Sequence, residues 1–164
     1  NPAIKTEHDR EGLLEGVRKG RISVIATDHA PHLLEEKQGG ALKAASGGPL
    51  IQYSLLVLLA LVDRGELPLE SIPTKTAHYP AMRFAVDKRG FLREGYYADI
   101  VVIDPNQHTM VTKDKILSKC GWSPFEGMTF KHSVEATYLN GERVYYKGNL
   151  CEERPAAKAL LFKH

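Results

Sequence analysis

Apolar positions follow a helical rhythm through the first half of the chain and a strand-like rhythm through the second. Near the start, Leu13, Leu14 and Val17 share one helical stripe, the spacing of a helix that buries a single face. Thr6 stands where a cap belongs, Glu7 and Asp9 put negative charge in the first turn, and Arg18, Lys19 and Gly20 close the helix. Ile22-Ser23-Val24-Ile25-Ala26 follows, a short β-branched stretch that predicts a buried strand. Helix, tight turn and buried strand form the repeating unit of a parallel α/β sheet. A second helix is predicted from Leu50 to Asp63, with Gly65 closing it. Its apolar residues surround the axis, so heavy burial is expected. A third helical stretch is predicted from about Pro73 to Val86.

The pattern changes at Gly90. Gly90 and Gly95 read as turns, and Ala98 to Pro105 reads as a strand. Val134–Leu139 and Glu142–Tyr146 read as two strands joined by Asn140-Gly141, a pair that tolerates positive φ at both positions and is a strong hairpin signal. The expected division is an α/β part over residues 1–87 and a β-rich module with the C-terminal tail over residues 88–164. The first part holds one convincing strand. A lone parallel strand cannot close a sheet, so its neighbours are expected from elsewhere in the same protein or from another chain.

Composition narrows the function classes. The 164 residues are 43% hydrophobic and 26% charged, with a net charge of +2 from 22 basic and 20 acidic side chains. That balance supplies no electrostatic reason to expect nucleic acid or a membrane surface. The longest apolar run, Leu55 to Val62, falls far short of the roughly 20 residues that span a bilayer. Cys120 and Cys151 are distant and form no paired motif, which suits reduced thiols and a cytoplasmic location. Asn1-Pro2-Ala3-Ile4-Lys5 is neither a signal peptide nor an initiator region, and a fragment or processed chain is expected. Ser54 and Ser123 lack a Gly-x-Ser-x-Gly setting, which disfavours a serine hydrolase. The Gly39-Gly40 and Gly47-Gly48 pairs have neither phosphate-loop nor Rossmann spacing.

The sharpest chemical feature is the end of the predicted strand, Thr27-Asp28-His29-Ala30-Pro31-His32. In parallel α/β folds the C-terminal ends of strands carry the chemistry. A carboxylate can ligate a metal and accept a proton. A histidine can ligate, shuttle a proton or grip a carboxylate. Composition alone leaves a second reading open, a capped loop whose histidines bond the backbone.

The segment Ile25 to His32 resembles the last barrel-strand motif of dihydroorotases and related cyclic amidohydrolases. Further resemblances follow in order: Ala45-Ser46-Gly47-Gly48-Pro49-Leu50-Ile51-Gln52, Gly95 to Pro105, Lys119-Cys120-Gly121-Trp122-Ser123-Pro124-Phe125-Glu126-Gly127, and the hairpin from Val134 to Gly148. Asn1 to Lys5 resembles the loop after the preceding barrel strand. The likeness covers nearly the whole chain and implies an α/β fold. The chain would be the C-terminal portion of a (β/α)8 barrel, its last strand and flanking helices, plus part of a small β-sandwich. It implies a zinc-dependent hydrolase that interconverts dihydroorotate and carbamoyl-aspartate in pyrimidine biosynthesis, with one or two zinc ions. Asp28 would be a metal ligand and the proton carrier. His32 would hold the substrate α-carboxylate, Asn1 would contact substrate, and Gly47, Gly48 and Pro49 would line the substrate mouth.

Most of that family's metal ligands have no counterpart here. No His-x-His occurs, and His8, His78, His108, His132 and His164 stand alone, so each reads as a surface or structural residue. The chain by itself is expected to be inactive and to hold zinc weakly. Cys120 and Trp122 read as loop packing, Lys37 and Lys43 as loop solvation, and the tyrosines of the second half as packing of the β module. Two other functions compete: a hydantoinase or allantoinase, and a non-catalytic homologue that scaffolds a partner. A small-molecule substrate is expected, with either a homo-oligomer or a missing N-terminal portion packed on apolar surface at Ile22–Ala26 and Leu50–Val62.

Overall fold

The computed structural model describes residues 4–151 and 157–163. Asn1 lies outside them. Helix α1 (Glu7–Arg18) begins on a reciprocal cap: the Thr6 hydroxyl accepts from the Asp9 amide at 3.1 Å, and the Asp9 carboxylate accepts from the Thr6 amide at 2.9 Å. Two orphan amides of the first turn are satisfied in this way. No residue of α1 is fully buried. Its polar face is tied down at Glu66, which takes Arg10 at 2.9 Å through its carboxylate and Arg18 at 3.2 Å through its carbonyl.

The segment Ile22–Ala26 pairs with no strand among the described residues, and the neighbours expected from elsewhere are what it lacks. A ladder needs a neighbour, and no described residue supplies one. Its backbone bonds go elsewhere: the Ile22 amide donates to Gly16 O at 3.0 Å and the Ile25 amide to Lys75 O at 3.1 Å. Only at His29 does a bridge form, parallel to Gly48.

Lys75 belongs to a long helical run whose geometry follows from a proline. The run is α3 (Ser71–Pro73), a π-helical stretch Thr74–His78, and α4 (Tyr79–Arg83). The Tyr79 amide reaches back five residues to Thr74 O. In that register the next amide would fill Lys75 O, but the next residue is Pro80, which has no N–H. Lys75 O is thereby left for Ile25, and the Lys75 ammonium, 5% exposed, donates to Ile22 O at 2.6 Å. One lysine fastens the Ile22–Ala26 segment at two points.

Helix α2 (Ser54–Asp63) follows a 3-10 turn at Ile51–Tyr53. It buries Leu56, Leu58 and Leu59, and these join Tyr53, Leu67, Ile72, Val111 and Phe130 in one core. Val111 and Phe130 come from the β-rich half. Phe130 lies in the ribbon formed by β2 (Thr109–Met110) and β3 (Thr129–Phe130). Its ring stacks on Tyr53 at 6.3 Å, with Phe125 edge-on to both. The ribbon therefore covers much of the surface that an open α2 would have shown, and Ile51 is the one apolar residue of 50–62 that is exposed. The expected bare Leu50–Val62 face is corrected accordingly.

The remaining strands make a four-stranded antiparallel sheet of order β1 (Ile100–Asp104), β4 (Ser133–Leu139), β5 (Glu142–Tyr146) and β6 (Asn149–Leu150). The Asn140-Gly141 turn has φ of 52° and 87°, as its sequence predicts. Arg89, 8% exposed, locks the turn to the body: its guanidinium donates to the Asp99 carboxylate and, at 2.7 Å, to Asn140 Oδ1, and lies 4.2 Å above the Tyr97 ring.

Candidate active site

Asp28 sits at the tip of that segment with φ of 45°. Left-handed backbone is uncommon for a residue with a side chain, though aspartate tolerates it better than most. It turns the chain sharply at the position where the polar cluster begins. Asp28 is exposed and has no hydrogen bond or ion pair among the described residues. A carboxylate with no partner among the described residues is free to serve a group brought from outside.

The next four residues are held tightly. The Ala30 amide donates to Gly48 O at 3.0 Å, and the His32 amide to Ala30 O at 2.9 Å. His29 Nδ1 accepts from the Ile51 amide at 3.2 Å. That bond uses Nδ1 as an acceptor and orients the ring. His32 carries a weaker contact: its Nδ1 lies 3.6 Å from the Glu36 carboxylate, and its side chain is 37% exposed. Glu36 is already engaged, accepting from the Leu33 amide at 2.7 Å, so His32 keeps freedom to meet a ligand. The His32 carbonyl accepts from Trp122 Nε1 at 2.7 Å.

The Gly47-Gly48-Pro49 loop closes over this turn. Gly47 has φ of 96°, and a Cβ there would come within 2.6 Å of Ala30 Cβ. Gly48 and Pro49 are buried. The carbonyls of Gly47 and Gly48 accept from Lys37 Nζ at 2.7 Å and from the Ala30 amide. Pro49 lines an apolar cavity of about 290 Å³ with His29, Gln52, Leu117, Ser118 and Trp122. Gly47 and Gly48 do not line it, and neither do Asp28 and His32.

Several contributors were not legible in the sequence. Lys37, expected to solvate its loop, donates to the Ala45 and Gly47 carbonyls and holds it closed. Gln52 clips the segment after β2 by donating to Lys115 O at 2.7 Å and accepting from the Leu117 amide at 2.9 Å. Trp122, expected to pack within its loop, reaches across to His32 and Gly48. His29 was visible inside the motif, but its bond to Ile51 depends on a fold that only the later helix provides.

The amidohydrolase family profile matches residues 3–144 of this chain. The chain belongs to the amidohydrolase family. Among curated relatives it is 40% identical to the dihydroorotase of Halobacterium salinarum, over 77% of this chain and 30% of that protein. It is 34% identical to the dihydroorotase of Methanosarcina acetivorans, over 92% of this chain and 32% of that protein. Among solved structures it superposes on the L-hydantoinase of Arthrobacter aurescens with a TM-score of 0.85 and 28% identity, over 92% of this chain and 34% of the other. The chain thus spans about a third of the length of the relatives it matches.

Amidohydrolases of this kind imply a metal, and the donors present can be tested against it. Zinc takes about four ligands, or three and a water at a catalytic site. Among the described residues no three of His, Cys, Asp and Glu converge on one point. Asp28 fits as one oxygen ligand in a larger set and does not make a site alone. This amidohydrolase chain has no helix among its described residues long and apolar enough to cross a membrane.

Proposed function

We propose that this chain is the C-terminal portion of a zinc-dependent dihydroorotase. The observation that carries the reading is Asp28, an exposed carboxylate in left-handed backbone with no partner among the described residues, at the tip of a segment that no described strand flanks. Family membership and dihydroorotase relatives support it. Residues 1–87 would complete a (β/α)8 barrel, and residues 88–164 would contribute to a β-sandwich. The remaining ligands would come from outside the chain, and the chain alone would be inactive.

In this reading one or two zinc ions, when bound, supply a water acidified toward neutrality. Asp28 would be one of their ligands, and its carboxylate accepts the proton released as the ring amide carbonyl is attacked. It then delivers that proton to the leaving amide nitrogen, so one carboxylate serves as base and acid in turn. His32, held by its backbone but half free at its ring, binds the α-carboxylate of the substrate. Asn1 contacts substrate, and the Gly47-Gly48-Pro49 loop forms the wall beside it. The location is cytoplasmic.

A hydantoinase-type activity is the second reading, supported by the L-hydantoinase superposition. Zinc content and turnover of the full-length protein decide between them. The expected result is metal-dependent hydrolysis of dihydroorotate, abolished by Asp28→Asn, with His32→Ala weakening carbamoyl-aspartate binding. Preference for a hydantoin with no loss from His32→Ala overturns the dihydroorotase reading. Metal-dependent turnover by residues 1–164 alone overturns the claim of incompleteness.

A further inference from the structure

We propose that Trp122 is a positioning residue for His32, setting the turn from which that imidazole meets the substrate carboxylate. The proposal rests on the role given to His32 above and extends it to a residue 90 positions away in sequence.

The indole N–H donates to the His32 carbonyl at 2.7 Å. Within the Ala30–His32 turn the other backbone contacts are His32 N–H to Ala30 O, which is local, and Ala30 N–H to Gly48 O, which reaches the glycine loop. Pro31 contributes no donor. Trp122 is therefore the anchor that ties the far end of the turn to the β-rich half. The same indole lies over Gly48, where a Cβ would sit 3.6 Å from its Cη2 atom. Three segments meet at one ring: the Asp28–His32 turn, the Gly47–Pro49 loop and the loop that carries Trp122. Its own loop is braced, with Cys120 Sγ 3.7 Å from the Trp122 carbonyl and 3.1 Å from Ser118 Oγ.

A side chain that packs loops would change stability alone. A side chain that sets the His32 backbone also changes how well the imidazole reaches a carboxylate. In the full-length protein, Trp122→Phe keeps a ring over Gly48 and removes the donor. The expected effect is a rise in KM for carbamoyl-aspartate of roughly five- to tenfold, the size of one lost neutral hydrogen bond, with kcat changed less than about twofold. Because Trp122 acts through His32, Trp122→Phe adds nothing to the KM of His32→Ala. Full additivity of the two substitutions overturns the proposal.

A second pair of measurements stands independent of activity. This chain has one tryptophan, and its indole proton is expected to resist exchange with solvent, with the His32 imidazole resonances moving in Trp122→Phe. Fast indole exchange, or unmoved His32 resonances, overturns the proposal. If His32→Ala leaves KM unchanged, the carboxylate-binding role of His32 fails, and these two signals still decide whether Trp122 positions it.

Discussion

Gly47→Ala gives the most direct test of how the turn is built. The residue has φ of 96°, and its new methyl would lie 2.6 Å from Ala30 Cβ. Carbon atoms in contact prefer about 3.5–4.0 Å, so one strand of chain must move about 1 Å. Gly47 resists moving, because Lys37 holds its carbonyl at 2.7 Å and also grips Ala45 O. Ala30 is the side that yields, and its amide bond to Gly48 O, now 3.0 Å, opens. Left-handed backbone costs a residue with Cβ about 1–2 kcal/mol, and the broken hydrogen bond about 1 kcal/mol more. The expected loss is about 2–3 kcal/mol. Urea unfolding of the full-length protein measures it, with Gly12→Ala as a control. Gly12 lies inside α1 with nothing within 4 Å of its would-be Cβ, so alanine there should stabilise by roughly 0.5–1 kcal/mol. A Gly47→Ala loss below about 1 kcal/mol would show that the turn is not wedged against the loop.

Other perturbations follow from the same contacts. Burial holds the Tyr53 phenol above its ordinary pKa, with smaller contributions from Tyr145 and Asp114. The proton is thus bound more tightly in the folded state, so its stabilising effect is intact below pH 10 and fades as pH rises through the higher folded value. Alkaline unfolding scans should show a flatter decline above pH 10 for Tyr53→Phe. Arg89→Ala strips Asp99 and Asn140 of their shared guanidinium and should cost about 2 kcal/mol, below the full figure for a buried pair because Asp99 is one-third exposed. Chemical denaturation reads that loss, and a variant within 0.5 kcal/mol of the parent contradicts it. Thr6→Ala removes the α1 cap and should cost about 1 kcal/mol, visible as faster amide exchange in the first turn with the rest of the helix protected.

Local devices were legible in the sequence and long-range ones were not. The Thr6 cap and the Asn140-Gly141 turn depend on residues a few positions apart, and both formed as their chemistry requires. Asp28, His29 and His32 stood out because ionisable residues follow a β-branched run directly. The pairing of Ile22–Ala26 depends on neighbours that no described residue supplies, because a propensity for extended backbone does not bring a partner with it. Lys37, Gln52 and Trp122 were hidden because each is defined by a carbonyl or amide that only folding brings near. The cover on α2 was hidden likewise, since Val111 and Phe130 lie in short segments with no strong periodicity of their own.

Pro80 turns a usual engineering rule around. Replacing a proline within a helix by alanine restores a missing donor and normally strengthens the helix. Here the restored N–H would compete for the Lys75 carbonyl that now receives Ile25. The helix would tighten while the approach to Asp28 came loose, so a gain in melting temperature and a displaced Asp28 would arise from one substitution.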